Sequence, residues 1–250
     1  MSNKGFCMRI LRFPGAFIFA ILLCCVNGAA LGQLYNYRPL DHELTWYYEA
    51  PSGATWTIEV AGEQLVLGQT TTILLQNISV PAPQVVHNYW TADKDGNAFL
   101  HGAHNFTADY TISYDPPILW LQAPLAAGNS WSTVYQTYHS LDGSDPGDIL
   151  ETWLNVETET TLTVTAGSFY AYSVTYTEVP QTRGPDGAYY DLLGVRMGDT
   201  APRKAMLEWY SDGVGLIQMD YQEETFELIS WNGPVPVAFR SWGGFKSSYR

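Results

Sequence analysis

Between residues 35 and 231 the sequence consists of short segments rich in Thr, Val, Tyr and Trp, interrupted by Gly, Pro and Asp. β-Branched and aromatic residues favour strands, whereas Gly, Pro and Asp favour turns, so this pattern is typical of short strands joined by turns. No segment shows the 3.6-residue hydrophobic period of an amphipathic helix. We therefore predict an all-β fold with a curved antiparallel sheet, arranged as a half-barrel or a sandwich.

Turn and strand signals are clearest at a few positions. Gly62 and Gly96 supply the positive φ that tight hairpins require, so we expect a turn at each and antiparallel strands beside it. Trp153 and Leu154 alternate within a strand that we expect to have one solvent-exposed face. The predicted strands are residues 44–49, 55–60, 64–67, 70–80, 85–91, 98–101, 110–114, 118–121, 131–139, 151–164, 169–179, 204–210, 215–221 and 224–231.

The first 32 residues have the pattern of a secretory signal: a basic start, an apolar run at residues 16–26 and a small-residue exit. As a helix that run spans about 16 Å, short of the roughly 30 Å of a bilayer core, so we expect cleavage and no transmembrane span in the mature chain. A lipid-modified cysteine is the alternative, although Leu23 precedes Cys24 where lipoprotein signals have a small residue. All three cysteines lie in this leader, so the remaining domain is expected to have no disulfide.

The remaining chain is acidic. Three of the 12 Lys and Arg lie in the leader and none of the 25 Asp and Glu do, which leaves a formal charge of −16. Binding to nucleic acid needs a basic surface, so we expect no nucleic-acid partner. With 46% hydrophobic residues the chain is too apolar to be disordered. We predict an exported monomer that is periplasmic, on the outer surface or extracellular.

The domain organisation leaves two alternatives open. We predict one all-β domain at residues 33–233 and a basic, aromatic tail at residues 234–250, which is either a docking signal or a frayed terminus. A Pro-Leu pair followed by five residues and Trp occurs before Trp46 and again before Trp131. The recurrence indicates either an internal duplication, with halves 33–120 and 121–233, or convergence on a common way to open a strand.

Three short motifs span most of the chain after the leader. The first is Tyr37-Arg38-Pro39-Leu40 with Trp46 and Tyr48, the second is Gly-Ser-Phe-Tyr-Ala-Tyr at 167–172, and the third is Trp-Tyr-Ser-Asp-Gly-Val-Gly-Leu-Ile at 209–217. Together they resemble a group of uncharacterised exported bacterial β-sheet proteins, which have Ala-Pro where this chain has Ser211-Asp212. The resemblance implies a curved antiparallel sheet similar to the half-barrels of periplasmic lipoprotein carriers, and it implies no catalytic residues.

Few residues point to catalysis or metal binding. After the leader there is no Cys and no Gly-x-Ser-x-Gly, which disfavours nucleophilic hydrolysis. We predict no cofactor and no metal. The weak metal candidates are His101 with His104, which face opposite ways on a strand, the predicted turn of Asp93, Asp95 and Asn97, and the loop acids Asp142, Asp145 and Asp148.

Aromatic residues are numerous, with nine Trp and 17 Tyr, and they are the feature of the sequence that most suggests a binding function. Such rings either fill a β core or line a binding surface, because they combine an apolar face with a polar tip. As ligand-binding candidates we name Trp46, Trp131 and Trp209 on the concave side of the sheet, and Tyr189, Tyr190 and Arg196 in a loop at residues 181–203 that covers its mouth.

Three functional hypotheses follow. The first is an exported non-catalytic binding or structural protein with a lipid or glycan as ligand. The second is a secreted hydrolase or lyase acting on polysaccharide, which needs two carboxylates about 5 to 9.5 Å apart in a cleft. The third is an extracellular assembly or adhesion protein with an exposed apolar patch or an open sheet edge.

Overall fold

A computed structural model describes residues 35–80, 82–180, 189–190, 196–198, 206–221 and 223–233. The predicted leader, the predicted tail and most of the loop at 181–203 lie outside these residues. The regular secondary structure in the described part of the chain consists of strands. No helix there has the length and apolar character needed to cross a membrane.

Twelve strands form one closed antiparallel barrel, and a separate two-stranded ribbon is formed by β10 and β11. The strands are β1 Thr45–Glu49, β2 Thr55–Val66, β3 Gln69–Ile78, β4 Gln84–Ala92, β5 Ala98–Asn105, β6 Tyr110–Leu121, β7 Ser130–Tyr138, β8 Pro146–Val164, β9 Gly167–Pro180, β10 Tyr189–Tyr190, β11 Arg196–Gly198, β12 Met206–Ser211, β13 Gly215–Tyr221 and β14 Glu224–Trp231.

Strand β1 closes the barrel. Neighbours follow chain order from β1 to β9, then continue through β12, β13 and β14 back to β1. Trp46 accordingly pairs with Ile58 of β2 on one side and with Trp231 of β14 on the other. The predicted all-β class and the curved antiparallel sheet are confirmed. Because the last strand pairs with the first, the sheet is a closed barrel instead of the expected half-barrel or sandwich.

Two predicted breaks between strands are wrong. Gly62 has a φ of +133°, but the pairing of β2 with β3 shifts there and then resumes, so this residue forms a bulge within one strand instead of a turn. The predicted strands at 110–114 and 118–121 are likewise one strand, β6. The turn at Gly96 is confirmed, with a φ of +89° and a hydrogen bond of 3.1 Å from its N–H to the Asp93 carbonyl.

The barrel interior is packed mainly with aromatic and aliphatic side chains. Along β8, Leu154 and Val156 are buried whereas Trp153 is 44% exposed, which confirms the alternation predicted for this strand. Aromatic rings meet edge to face in the core, with 5.5 Å between the ring centroids of Trp56 and Phe226. Such packing is the main stabilising contribution in a domain whose described residues include no cysteine.

The segment before β1, residues 35–40, is bound to two turns of the barrel. The Asn36 N–H donates to Asp212 Oδ1 at 2.7 Å, and the Asn36 carbonyl accepts from the Gly213 N–H at 2.9 Å. Tyr37, at 1% exposure, is part of the core. Tyr35 lies so close to Gly96 that a Cβ at this glycine would be 2.3 Å from the Tyr35 carbonyl oxygen.

Substitution of Gly96 tests this contact of the segment with the β4–β5 turn. Gly53 has a similar φ of +84° but open space around its Cβ position, so it is the matched control. Both alanine variants carry the cost of a positive φ, about 1 kcal/mol. We expect Gly96→Ala to lower the free energy of unfolding in urea by about 1–3 kcal/mol more than Gly53→Ala, because of the clash. Equal losses in the two variants would show that the segment does not press on the turn.

Candidate functional site

The barrel contains a small cavity of about 30 Å³ that is lined by both polar and apolar side chains. Its lining comes from β2, β3, β4, β5, β6, β12 and β13, together with Arg38 from the segment before β1. Strands from so many positions around a barrel share a cavity because their inward-facing side chains converge on its interior. The lining residues are Arg38, Trp56, Ile58, Gln76, Asn88, Trp90, Leu100, Trp120, Met206, Glu208, Leu216 and Met219.

Arg38 places a cation in this cavity. The side chain is only 7% exposed, and its guanidinium carbon lies 4.2 Å from the ring centroid of Trp90 and 5.8 Å from that of Tyr210. A guanidinium over an aromatic face is attracted by the negative face of the ring. The Arg38 guanidinium and the Glu208 carboxylate line the same cavity without forming an ion pair with each other.

Glu208 is held by two donors on the cavity wall. Its Oε2 accepts the Tyr210 hydroxyl at 2.5 Å and the Trp120 Nε1–H at 3.1 Å. Burial, and then the nearby Glu208 charge, raise the pKa of Tyr210 well above its ordinary value. The phenol therefore stays protonated at neutral pH and acts as a donor to Glu208.

Five buried polar atoms on the lining residues have no hydrogen-bond partner among the described residues. Nearly all buried polar atoms in proteins are hydrogen-bonded, and leaving one without a partner costs about 1–3 kcal/mol. Here the atoms without partners are concentrated around one cavity, beside a buried cation. This concentration makes the cavity the candidate functional site. The atoms are Arg38 Nε, Trp56 Nε1, Gln76 Oε1, Asn88 Oδ1 and Trp90 Nε1.

Two of the predicted tryptophans are core residues with satisfied indole groups. Trp46 Nε1 donates to the Val214 carbonyl and Trp131 Nε1 to the Leu119 carbonyl, each at 2.7 Å. Trp46 also borders a second cavity, of about 10 Å³, next to Arg38. Neither tryptophan lines the larger cavity.

The expectation that Trp209 faces the concave side is wrong. Glu208 and Tyr210 are buried in the barrel, so the two-residue period of β12 places the half-buried Trp209 on the outer face. Tyr189 pairs with Gly198, and Tyr190 pairs with Arg196, in the β10–β11 ribbon, and their ligand-binding role stays a prediction.

His101 and the Asp93 turn make hydrogen bonds within the fold. His101 is 4% exposed, and its Nε2 lies 2.8 Å from Thr91 Oγ1. Asp93 Oδ1 accepts the backbone N–H groups of Asp95 and Asn97, as expected for a hairpin turn. Within the described ranges no three His, Cys, Asp or Glu side chains are grouped so that they would hold a metal ion.

Sequence reasoning missed the polar residues of the cavity, although two of them carried a signal. Arg38 lies within the first motif, between the buried Tyr37 and Pro39. Glu208 occupies the same face of its strand as Tyr210, where a carboxylate is unusual because charges are rarely buried without partners. Gln76, Asn88 and Trp120 had no such signal, because which face of each strand points inward is decided by bulges and by barrel closure.

Comparison with known proteins adds two distant structural neighbours. No protein-family model and no curated protein matches the sequence. A protein of Bacteroides fragilis with a YmcC-like fold, thought to be exported, aligns with a TM-score of 0.42 and 13% identity over 79% of this chain and 99% of its own. A protein of Parabacteroides distasonis, thought to be a lipoprotein, aligns with a TM-score of 0.41 and 14% identity over 80% of this chain and 99% of its own. Similarity this low does not transfer a function to this chain.

Substitution of Glu208 tests the hydrogen bonds of the cavity wall. In Glu208→Ala the Tyr210 hydroxyl and the Trp120 N–H lose their common acceptor, so we expect the free energy of unfolding in urea to fall by about 2–3 kcal/mol. Glu208→Gln keeps an acceptor oxygen at the same position and should cost about 1 kcal/mol. Equal stability of the two variants would mean that the carboxylate oxygen contributes nothing as an acceptor.

Proposed function

We propose that this protein is an exported, non-catalytic binding protein that holds a small polar ligand group against Arg38 inside its barrel. The observation that carries the proposal is the convergence of five buried polar atoms without partners on one cavity that also contains a buried guanidinium. A ligand that forms hydrogen bonds with these atoms would remove the free-energy cost of burying each of them without a partner. The secretory pattern of residues 1–32 supports export.

The cavity volume limits the size of the ligand group. A water molecule requires roughly 10–15 Å³ of such a cavity, so about 30 Å³ admits a group of two or three heavy atoms. Arg38, Trp56 and Trp90 offer N–H donors. The amides of Gln76 and Asn88 can present either oxygen or nitrogen after a half-turn. These groups fit a carboxylate or a carbonyl whose oxygen faces Arg38.

This site does not accommodate the larger ligands considered from the sequence. Pockets for drug-sized molecules are roughly 300–1,000 Å³, about ten times this cavity or more. A lipid or glycan partner therefore remains a prediction for other parts of the molecule. The polysaccharide-cleaving alternative is likewise unsupported by this cavity, because Glu208 is the one carboxylate in its lining and the mechanism needs two.

We place the entrance to the cavity beside Met206. Of the lining residues it is the one that is half-buried, whereas the others are buried. It is also the first residue of β12, so it lies at the end of a strand. We propose that the ligand group enters there.

Indole N–H resonances give a direct test of the proposed binding. We expect formate or formamide, added to ¹⁵N-labelled full chain, to shift the resonances of Trp56 and Trp90, whose N–H groups have no partner among the described residues. The resonances of Trp46 and Trp131 should stay in place, because their N–H groups already donate to backbone carbonyls. Formate and formamide distinguish a carboxylate ligand from a neutral carbonyl, and sodium chloride at equal ionic strength controls for salt.

Two charge variants complete this experiment. Arg38→Gln should abolish the shifts, since it removes the cation of the cavity. Lys94→Gln removes one positive charge from a side chain that is 88% exposed, and the shifts should persist. Shifts of equal size for all four tryptophans, or shifts that survive Arg38→Gln, would rule out the proposed site.

A further inference from the structure

Two histidines face each other on the outside of the barrel, away from the cavity. His87 of β4 pairs directly with His104 of β5 in the antiparallel register. Asn88 points into the cavity, so the two-residue period of β4 places the half-buried His87 on the opposite, outer face. Directly opposed residues share a face and have Cβ atoms about 4.5–5.5 Å apart, so the two imidazoles extend from neighbouring positions on one side of the sheet.

Neighbouring side chains hold both rings in place. His104 Nδ1 lies 2.6 Å from Thr111 Oγ1 on β6, which leaves Nε2 as the nitrogen available for a ligand. The ring of Phe106 packs edge to face against both imidazoles, with centroids 4.5 Å from His87 and 4.1 Å from His104. Histidine ligands of metals characteristically use their second nitrogen for a hydrogen bond of this kind.

We infer that the His87–His104 pair binds a divalent transition-metal ion through one nitrogen of each ring, with water completing the coordination. Imidazole suits Cu²⁺, Ni²⁺ and Zn²⁺, and sites of nitrogen ligands generally bind Cu²⁺ most tightly. In the sequence, the histidine nearest to His104 is His101, three residues before it. The fold pairs it with His87, seventeen residues away, through the register of β4 and β5.

Isothermal titration with CuCl₂, NiCl₂ and ZnCl₂ tests the inference, using the untagged full chain with Cys7, Cys24 and Cys25 replaced by Ser so that no thiol binds the metal. We expect one equivalent of Cu²⁺ to bind more tightly than Ni²⁺ or Zn²⁺. His87→Ala and His104→Ala should each weaken Cu²⁺ binding at least about tenfold, because one of two ligands is lost. Thr111→Val, which keeps both imidazoles, should weaken it about tenfold by freeing the His104 ring. His42→Ala is the matched control, since His42 is an exposed histidine outside the strands, and its affinity should equal that of the unaltered chain.

Electron paramagnetic resonance of the Cu²⁺ complex keeps the test decisive if a variant does not fold. Two imidazole nitrogens at one Cu²⁺ in the His42→Ala variant would support the pair. A spectrum without two imidazole nitrogens would overturn it. Cu²⁺ binding that survives both His87→Ala and His104→Ala would also overturn the inference, because it would indicate a site elsewhere, such as the chain terminus. A loss of affinity in His42→Ala as large as that in His87→Ala would overturn it as well.

Discussion

Closure of the sheet by the pairing of β1 with β14 is the constraint on which the other features depend. An open curved sheet leaves one face to solvent, so polar side chains on that face are hydrated. Once Trp46 pairs with both Ile58 and Trp231, the inward face becomes an interior, and each polar atom on it needs a partner inside the protein. Around the cavity next to Arg38, five polar atoms do not meet this requirement among the described residues.

The energetics of Arg38 support the proposal that the cavity binds a polar group. Burying a guanidinium costs several kcal/mol, whereas the contact of its cation with Trp90 contributes about 0.5–2 kcal/mol. Glu208 offsets part of the remaining cost through its opposite charge, but two other groups already use its Oε2 as an acceptor. The polar group proposed to bind at Arg38 would supply further compensation for the buried charge.

The sequence predicts much of the fold and little of the site, for identifiable reasons. Alternation such as that of Trp153 and Leu154 is local, so the all-β class and most strands follow from it. Gly62 was misread because a bulge and a turn both require positive φ, and only the pairing partner distinguishes them. Trp209 was misplaced because its face depends on the register of β12 with β9, which is a long-range property. The cavity combines seven strands, so no local pattern marks it.

Strand β4 shows how one element positions two separate sites. Asn88 and Trp90 point into the cavity, whereas His87 points outward toward His104. Because successive side chains of a strand face opposite sides of the sheet, a change at His87 removes an outer side chain without opening the interior. Because of the same alternation, the inner and outer faces of β4 carry different functional groups. The inner face of β4 presents an amide and an indole to a buried guanidinium, while its outer face presents an imidazole to solvent. The barrel wall, a single layer of backbone, separates the buried polar groups of the cavity from the outward-facing imidazole.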